Sequence, residues 1–574
     1  MPAVTSSADP TPSALRDTVE EEIARLLAGS RPWSRWLEQA ARHGRHGFVN
    51  TLLIAAQRPH AADVRSHDEW RAVRRHVRKG EKGIWILTPE GRTRAVFDIA
   101  QTAGAPPPAR ALPPDAAYER LRQAAHALGL RADPDPPVVR EALTALALRL
   151  GHRLLPRHTA SVAHLVLAHL GIRATHLVHP PVRAWAADAA AVISAGDRIL
   201  QAAGVVVAEL EKVRAAHACL EAAHAFFLAR ARRSGWVPDH LARRGLPADA
   251  PVGCAPAAWR ALTEHLRRLG LPDEAIVAAG LARRGRDGAL HDRFRDRTMF
   301  PLRDARGAIA GFIGRRRGAG GGPKYLNSPE SALFRKGRLL YGLHESRDRL
   351  AAGARPVIVE GPYDALAVNL LPGHAGIATC GSGITPDQLR ILMDHCAPGA
   401  ARPAAPDPAP AGGSERGGPA DRPGSGGPVE GAGIVVALDG DPAGRAGMLR
   451  AWEALRGLSA PVDAAVFEPG DDPAEVLRRE GPDGLLRVLR NARPMADLAV
   501  DAAVERAGGA PRSPEERAAA LHAAAAAIAR MAPPHVPRQV GRVAERLGLD
   551  HATVTRALVE AVTGAPARPR PEDR

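Results

Sequence analysis

Two stretches constrain the fold of this chain more than any others: Val357-Ile-Val-Glu-Gly-Pro-Tyr-Asp364 and Ile434-Val-Val-Ala-Leu-Asp-Gly-Asp-Pro-Ala-Gly444. Each is a short β-branched run closed by carboxylates and followed by a helix-forming segment. Residues 354–490 alternate strand and helix in this way, which is the pattern of βαβ units on a parallel sheet. Open α/β sheets bind ligands in the crevice at the C-terminal ends of their strands. Glu360, Asp439 and Asp441 are therefore predicted to meet at one such edge. Crowded carboxylates repel one another near neutral pH, and a hard divalent cation relieves that repulsion. Asp439 and Asp441 are two apart, so on an extended strand end they face the same side. The helix that begins at Pro442 presents a mildly positive N-terminus, which suits a phosphate.

Composition narrows the partner. A formal charge of +16 over 574 residues favours a polyanion, because Lys and Arg gain binding energy by releasing counterions from phosphates. An excess of Arg over Lys, with abundant Ala, Gly and Pro, also fits a GC-rich coding bias. The four cysteines, Cys219, Cys254, Cys380 and Cys396, form no C-x-x-C pair. This argues against a cysteine-rich zinc module and for reduced thiols. With no signal peptide at the start and no uninterrupted apolar run of roughly 18 residues, a soluble, cytoplasmic protein with no membrane partner is expected.

Length implies several domains. Residues 1–19 are expected to form a disordered tail. In 20–103, Ile23, Leu26 and Leu27 fall at helical spacing and residues 83–87 form a strand. A Pro-rich linker covers 104–114, and 115–215 is largely helical. Residues 216–350 are mixed, with a hairpin over 299–316 turning at Asp304-Ala-Arg-Gly307. Residues 351–491 hold the parallel sheet, interrupted at 397–432 by a Pro/Gly/Ala/Ser-rich insertion that cannot pack a core. Residues 492–565 return to helix, with a helix-turn-helix pattern over 543–558 and Gly548 at its turn. A structural subdomain is the preferred reading of that pattern over groove binding. Residues 566–574 form a tail. The fold class is α/β and α+β, multidomain.

On the two acidic motifs, residues 351–491 resemble the TOPRIM fold shared by DnaG-type bacterial primases, topoisomerases and some nucleases. Glu360 matches that family's glutamate, Asp439 and Asp441 its D-x-D, and Asp364 the second acid of the first motif. Gly470-Asp-Asp-Pro-Ala-Glu475 is similar to the primase D-P-D-E element, with Asp472 before the proline and Ala474 where the family has an aspartate. Upstream, Val252–Trp259, Phe294–Asp304, Gly311–Arg315, Pro323–Glu330 and Leu333–Leu343 resemble, in order, the DnaG-type primase core. The resemblance spans roughly 216–500. It implies catalytic Glu360, Asp439 and Asp441, and a Mg²⁺ or Mn²⁺ site built from these with Asp364 and Asp472. It also implies nucleotide and template binding by Arg295, Arg297, Arg315, Lys324, Asn327 and Lys336, of which Arg315, Lys324 and Lys336 form a basic ridge. In that chemistry a 3′-hydroxyl attacks the α-phosphorus in line and pyrophosphate leaves. Tyr363 is expected to pack or orient rather than attack.

The zinc-binding domain that usually opens DnaG-type primases is not found. Instead residues 20–103, with Trp33-Ser-Arg-Trp-Leu37, Phe48–Pro59 and Arg78–Pro89, resemble the N-terminal single-stranded-DNA-binding domain of ArdC-type antirestriction proteins. The resemblance implies strand contacts from Trp36, Asn50, Gln57, Lys79 and Lys82. Aromatics in a basic groove stack bases with little sequence preference, although Trp33, Trp36, Trp70 and Trp85 equally suit a core. ArdC-type proteins continue into a metallopeptidase-like domain with H-E-x-x-H. Here that place is Leu148-Arg-Leu-Gly-His152, where only His152 remains. Residues 115–215 are thus expected to be a degenerate scaffold without peptidase activity, and no zinc is expected.

The leading expectation is a primase-like nucleotidyltransferase of a plasmid or mobile element. It would make short RNA primers from ribonucleoside triphosphates on single-stranded DNA, with a replicative helicase as a further partner. Two alternatives stay open: a non-catalytic single-strand-binding or antirestriction protein, and a metal-dependent TOPRIM nuclease.

Overall fold

A computed structural model describes residues 9–104, 112–133, 136–318, 322–381, 383–396, 433–509 and 511–564. The expected insertion at 397–432, most of the Pro-rich linker and the last tail lie outside the described residues. The chain divides into two compact units, Met1–Ala216 and His217–Arg574.

In the first unit a helix already begins at Pro12, inside the stretch expected to be a disordered tail. Thr11 caps it through Ala14 N–H, and Leu15 and Val19 are buried. A Thr N-cap followed by Pro is a helix start that low-complexity composition had hidden. The segments expected as separate domains, 20–103 and 115–215, share one hydrophobic core. It runs from Leu15 through Trp33, Trp36 and Phe48 to Leu146, Val166 and Leu210. A three-stranded antiparallel sheet places Thr93–Asp98 between Val64–Arg65 and Ile84–Leu87. The helix Ala189–Ser234 is long and apolar enough to cross a membrane by length and composition. It nevertheless carries Asp197 and Arg198 and buries Val192, Ile199 and Val206 in this core.

In the second unit, Arg297–Arg303 and Ile309–Arg316 form the expected hairpin, flanked by Gly253–Ala255 and Tyr325–Asn327 in a four-stranded sheet. A second sheet has the order His374–Ala378, Arg355–Val359, Ile434–Ala437, Val462–Ala464, Arg493–Pro494. Its first four strands are parallel and the last is antiparallel. Both faces are covered, as parallel sheets require. Val357, Val359, Val435 and Ala437 pack with Phe300, Leu302 and Ile313 on one side. Ile358, Ile434 and Val436 pack on the other with the C-terminal helices through Met495, Val500, Ile528 and Val543. The period-2 alternation of one strand thus joins two cores. The helix-turn-helix pattern resolves into Val536–Leu547 and His551–Thr563, with Gly548 left-handed at φ 62° between them. Its Val543, Leu547, Val554 and Ala557 are buried in the core on that second face, which favours the structural reading.

Candidate active site

Arg355–Val359 and Ile434–Ala437 are adjacent and parallel, with Val359 opposite Ala437. Glu360 and Asp439 therefore leave the sheet at the same C-terminal edge. The turn that follows is tight. A Cβ on Gly440 would stand 2.1 Å from the Glu468 carbonyl oxygen, and one on Gly444 would stand 2.0 Å from the Asp439 carbonyl oxygen. Only glycine allows the Asp439-Gly440-Asp441 turn to lie against its neighbours. Gly440 N–H donates to the Asp471 carbonyl at 2.9 Å, which draws the 470–475 loop to the same edge.

The charges there are crowded. Burial, reinforced by Glu360, Asp472 and Asp441, raises the Asp439 carboxyl to about 7, against the opposing pull of Lys324. Partial withdrawal from water, then Asp441, raises Glu360, again opposed by Lys324 and Arg450. The Glu360 residue as a whole is exposed, so solvent screens part of that push. Clustered carboxylates with raised pKa values in a crevice mark functional sites more often than structural ones.

The five predicted metal ligands are not equivalent. Asp364 is 7 % exposed and accepts N–H groups from Gly361 (3.1 Å) and Ala474 (3.4 Å). Burial and the charges of Asp472 and Asp439 push it well above the usual carboxylate range. It ties the two acidic loops together, which is a positioning role. Asp441 and Asp472 each cap a helix through Oδ1, to Gly444 N–H and Glu475 N–H, both at 2.6 Å. Ala474 is 2 % exposed and packs in the core beneath. Among the described residues no three His, Cys, Asp or Glu side chains form a ready cage for an ion. Mg²⁺ is commonly held by one or two carboxylates with water and substrate phosphate completing its shell. Glu360, Asp439 and the uncapped side of Asp441 fit that kind of donor set.

Cations approach from the four-stranded sheet and the segment after it. Lys324 is exposed and acts on both Glu360 and Asp439. Lys336 Nζ lies 3.1 Å from where a Cβ on Gly381 would stand, just past the end of His374–Ala378. Arg315 lies over Tyr363 (5.3 Å) and Tyr325 (6.0 Å), and its buried Nε has no hydrogen-bond partner. Tyr363 is 2 % exposed and packs against Phe300 at 5.0 Å, as a packing role requires. Arg297 is 6 % exposed and donates to the carbonyls of Gly314, Pro323 and Lys324, which staples the hairpin, and it also lines the arginine pocket around Arg295. Asn327 gives its carbonyl to Arg293. Arg295 stacks on Trp259 at 3.9 Å in a pocket of about 610 Å³ that Arg283, Arg293 and Arg316 also line. Trp259, 56 % exposed, and Arg283, Arg293 and Arg316 were not foreseen; an exposed Trp among arginines is recognisable only once the fold brings them together.

In the first unit, three predicted strand-binding residues have partners within the fold. Trp36 is 1 % exposed, lies 4.3 Å from Trp33 and 5.0 Å from Phe48, and donates to Thr51 Oγ1 at 2.9 Å. It has no face left for a base. Asn50 and Gln57, two turns apart on the helix Gly47–Gln57, each exchange two hydrogen bonds with the main chain of Ile84–Leu87. Asn50 pairs with Leu87 and Gln57 with Trp85, at 2.7–2.9 Å. They complete the open edge of the sheet. Lys79 and Lys82 are exposed.

The chain is 32 % identical over 349 residues to a DNA primase of Streptomyces coelicolor, an alignment covering 58 % of this chain and 49 % of that protein. It is 30 % identical over 332 residues to a DNA primase of Myxococcus xanthus, covering 57 % and 46 %. It thus spans about half the length of the curated relatives it matches. A DNA primase domain from Pseudomonas aeruginosa, a crystal structure, aligns at 28 % identity and a TM-score of 0.46, over 60 % of this chain and 99 % of that one. Within this chain, residues 234–347 match the family described as DNA primase catalytic core, N-terminal domain.

Proposed function

We propose that this chain is a DnaG-type primase that synthesises short RNA primers on single-stranded DNA in the cytoplasm, its five-stranded sheet being a TOPRIM-type domain. The observation that carries the proposal is that Lys324 and Lys336, both inside the matched segment 234–347, stand at the edge where Glu360 and Asp439 crowd. A polymerising site needs cations opposite carboxylates, because triphosphate and template phosphates meet there.

Glu360, Asp439 and Asp441 would hold Mg²⁺ or Mn²⁺, which when bound neutralises triphosphate charge and lowers the pKa of a primer 3′-hydroxyl. Lys324 and Lys336 take the phosphates of the incoming ribonucleotide. Asp364 keeps the two acidic loops in register. The arginine pocket around Trp259 and Arg295 receives the template, with Trp259 as a stacking surface. In the first unit, Lys79 and Lys82 are among the exposed cations of an ArdC-like module that retains the strand. A replicative helicase as partner, and a plasmid or mobile-element setting, belong to the same proposal and rest on the two resemblances.

The test is incubation of the full chain with single-stranded template, labelled ribonucleotides and Mg²⁺ or Mn²⁺. Oligoribonucleotides that disappear in Asp439→Asn/Asp441→Asn support the proposal. Template cleavage, or protection of the strand with no product, overturns it.

A further inference from the structure

The helix Thr159–His169 and the loop after it bring two histidines together. The rings of His164 and His179 lie 5.5 Å apart between centroids and are inclined at 59°. His164 is 8 % exposed. Its Nδ1, and both ring nitrogens of His179, are sealed from solvent with no hydrogen-bond partner. Buried polar atoms in folded proteins are nearly always paired. Neighbouring rings whose buried nitrogens have no protein partner can share a ligand that takes one lone pair from each ring. Both rings line a pocket of about 690 Å³, shared with Glu38, Arg42, Arg173 and Thr175 and lying within the first unit.

The chemistry of the gap is specific. A neutral imidazole offers one nitrogen lone pair, and imidazole suits late first-row transition ions. Two imidazoles bound at roughly 2.0–2.1 Å in a tetrahedral shell have ring centroids about 5 Å apart. Burial holds both histidines neutral: it lowers His164, and with the help of His164 it lowers His179 to about 4. No proton has to be displaced at neutral pH. Of the charged groups on the pocket wall, Glu38 attracts a cation while Arg42 and Arg173 repel it. That balance suits an ion carrying an anionic or hydroxide co-ligand.

We propose that His164 and His179 form a two-imidazole site for a late transition cation such as Zn²⁺, its remaining coordination positions open to the pocket. The site is separate from the position of the lost H-E-x-x-H, where His152 is exposed on the helix Val139–Leu154. It would be a zinc site where the sequence leads one to expect none.

The untagged full chain, stripped with chelator, is titrated with Co²⁺ while its visible absorption is followed, and the Co²⁺ is then displaced with Zn²⁺. One saturable equivalent is expected, weakened at least tenfold in His179→Ala and in His164→Gln, with the Zn²⁺-dependent rise in Tm lost in both. His179 lies outside any helix or strand, so its variant is expected to keep the wild-type circular dichroism; this makes it the deciding variant if His164→Gln unfolds. Absence of a saturable equivalent in the wild type, or unchanged affinity in a folded His179→Ala, overturns the proposal.

Discussion

The residues predicted to bind the strand in one unit and to bind metal in the other are used in opposite ways. In Met1–Ala216, Trp33, Trp36, Asn50 and Gln57 all find internal partners: Ser161, Thr51 and the main chain of Ile84–Leu87. In His217–Arg574, Asp439 and Glu360 are partly buried among other carboxylates, and both effects raise their pKa values. Side chains with satisfied hydrogen bonds stabilise a fold. A group kept in an unfavourable electrostatic setting is instead poised for something that arrives later. By that criterion the crowded carboxylates of the second unit are stronger candidates for chemistry than the tryptophans and amides of the first, although the tryptophan-rich, basic first unit looked equally functional in sequence.

The sharpest way to break this contrast is to neutralise the crowded edge. Asp439→Asn/Asp441→Asn is expected to lower primer synthesis by at least about a thousandfold, on the order of 4 kcal/mol of transition-state stabilisation. Single-strand affinity, measured by fluorescence anisotropy, should stay within twofold. The converse substitution, Trp36→Ala, is expected to cost about 3–5 kcal/mol of stability in denaturant unfolding. Any of that protein still folded should bind single-stranded DNA as the wild type does; a loss of affinity at full stability would return Trp36 to the binding surface.

A third experiment titrates the contrast. The Asp439 carboxyl is raised from its ordinary 3.8 to about 7, so between those values the folded chain keeps a proton that the unfolded chain has lost. Stability from this group is therefore complete at low pH and is lost as pH rises through about 7. In EDTA the Tm is expected to fall between pH 5 and pH 8, by roughly 2–4 °C for each kcal/mol lost. Mg²⁺ should restore more of it at pH 8 than at pH 5, and Asp439→Asn should flatten both effects. The smallest effect is expected from Asn50→Ala or Gln57→Ala, about 1–2 kcal/mol each for two lost hydrogen bonds at a partly exposed strand edge. Primer yield per folded molecule should not change.

What could be read from sequence follows from the range of the forces involved. The hairpin over 299–316, the strand-helix alternation of 354–490 and the turn at Gly548 are local patterns of period and turn chemistry, and the structure shows all three. The sharing of one core by 20–103 and 115–215 depends on contacts such as Trp33 to Ser161, 128 residues apart, which no local window contains. The same holds for the stapling of the hairpin by Arg297, whose carbonyl partners at 314, 323 and 324 no local window predicts. Within the site, motif spacing predicted that Glu360, Asp439 and Asp441 meet at one edge, and the strand register brings them there. It could not foresee the bond from Ala474 N–H to Asp364, which spans 110 residues.

That bond has an evolutionary consequence. Asp364 grips residue 474 by its main-chain N–H, and a main chain is the same whatever side chain hangs from it. The side chain at position 474 can therefore change without loosening this join between the acidic loops. Of the twenty residues only proline, which has no N–H to give, is barred from that position by this contact.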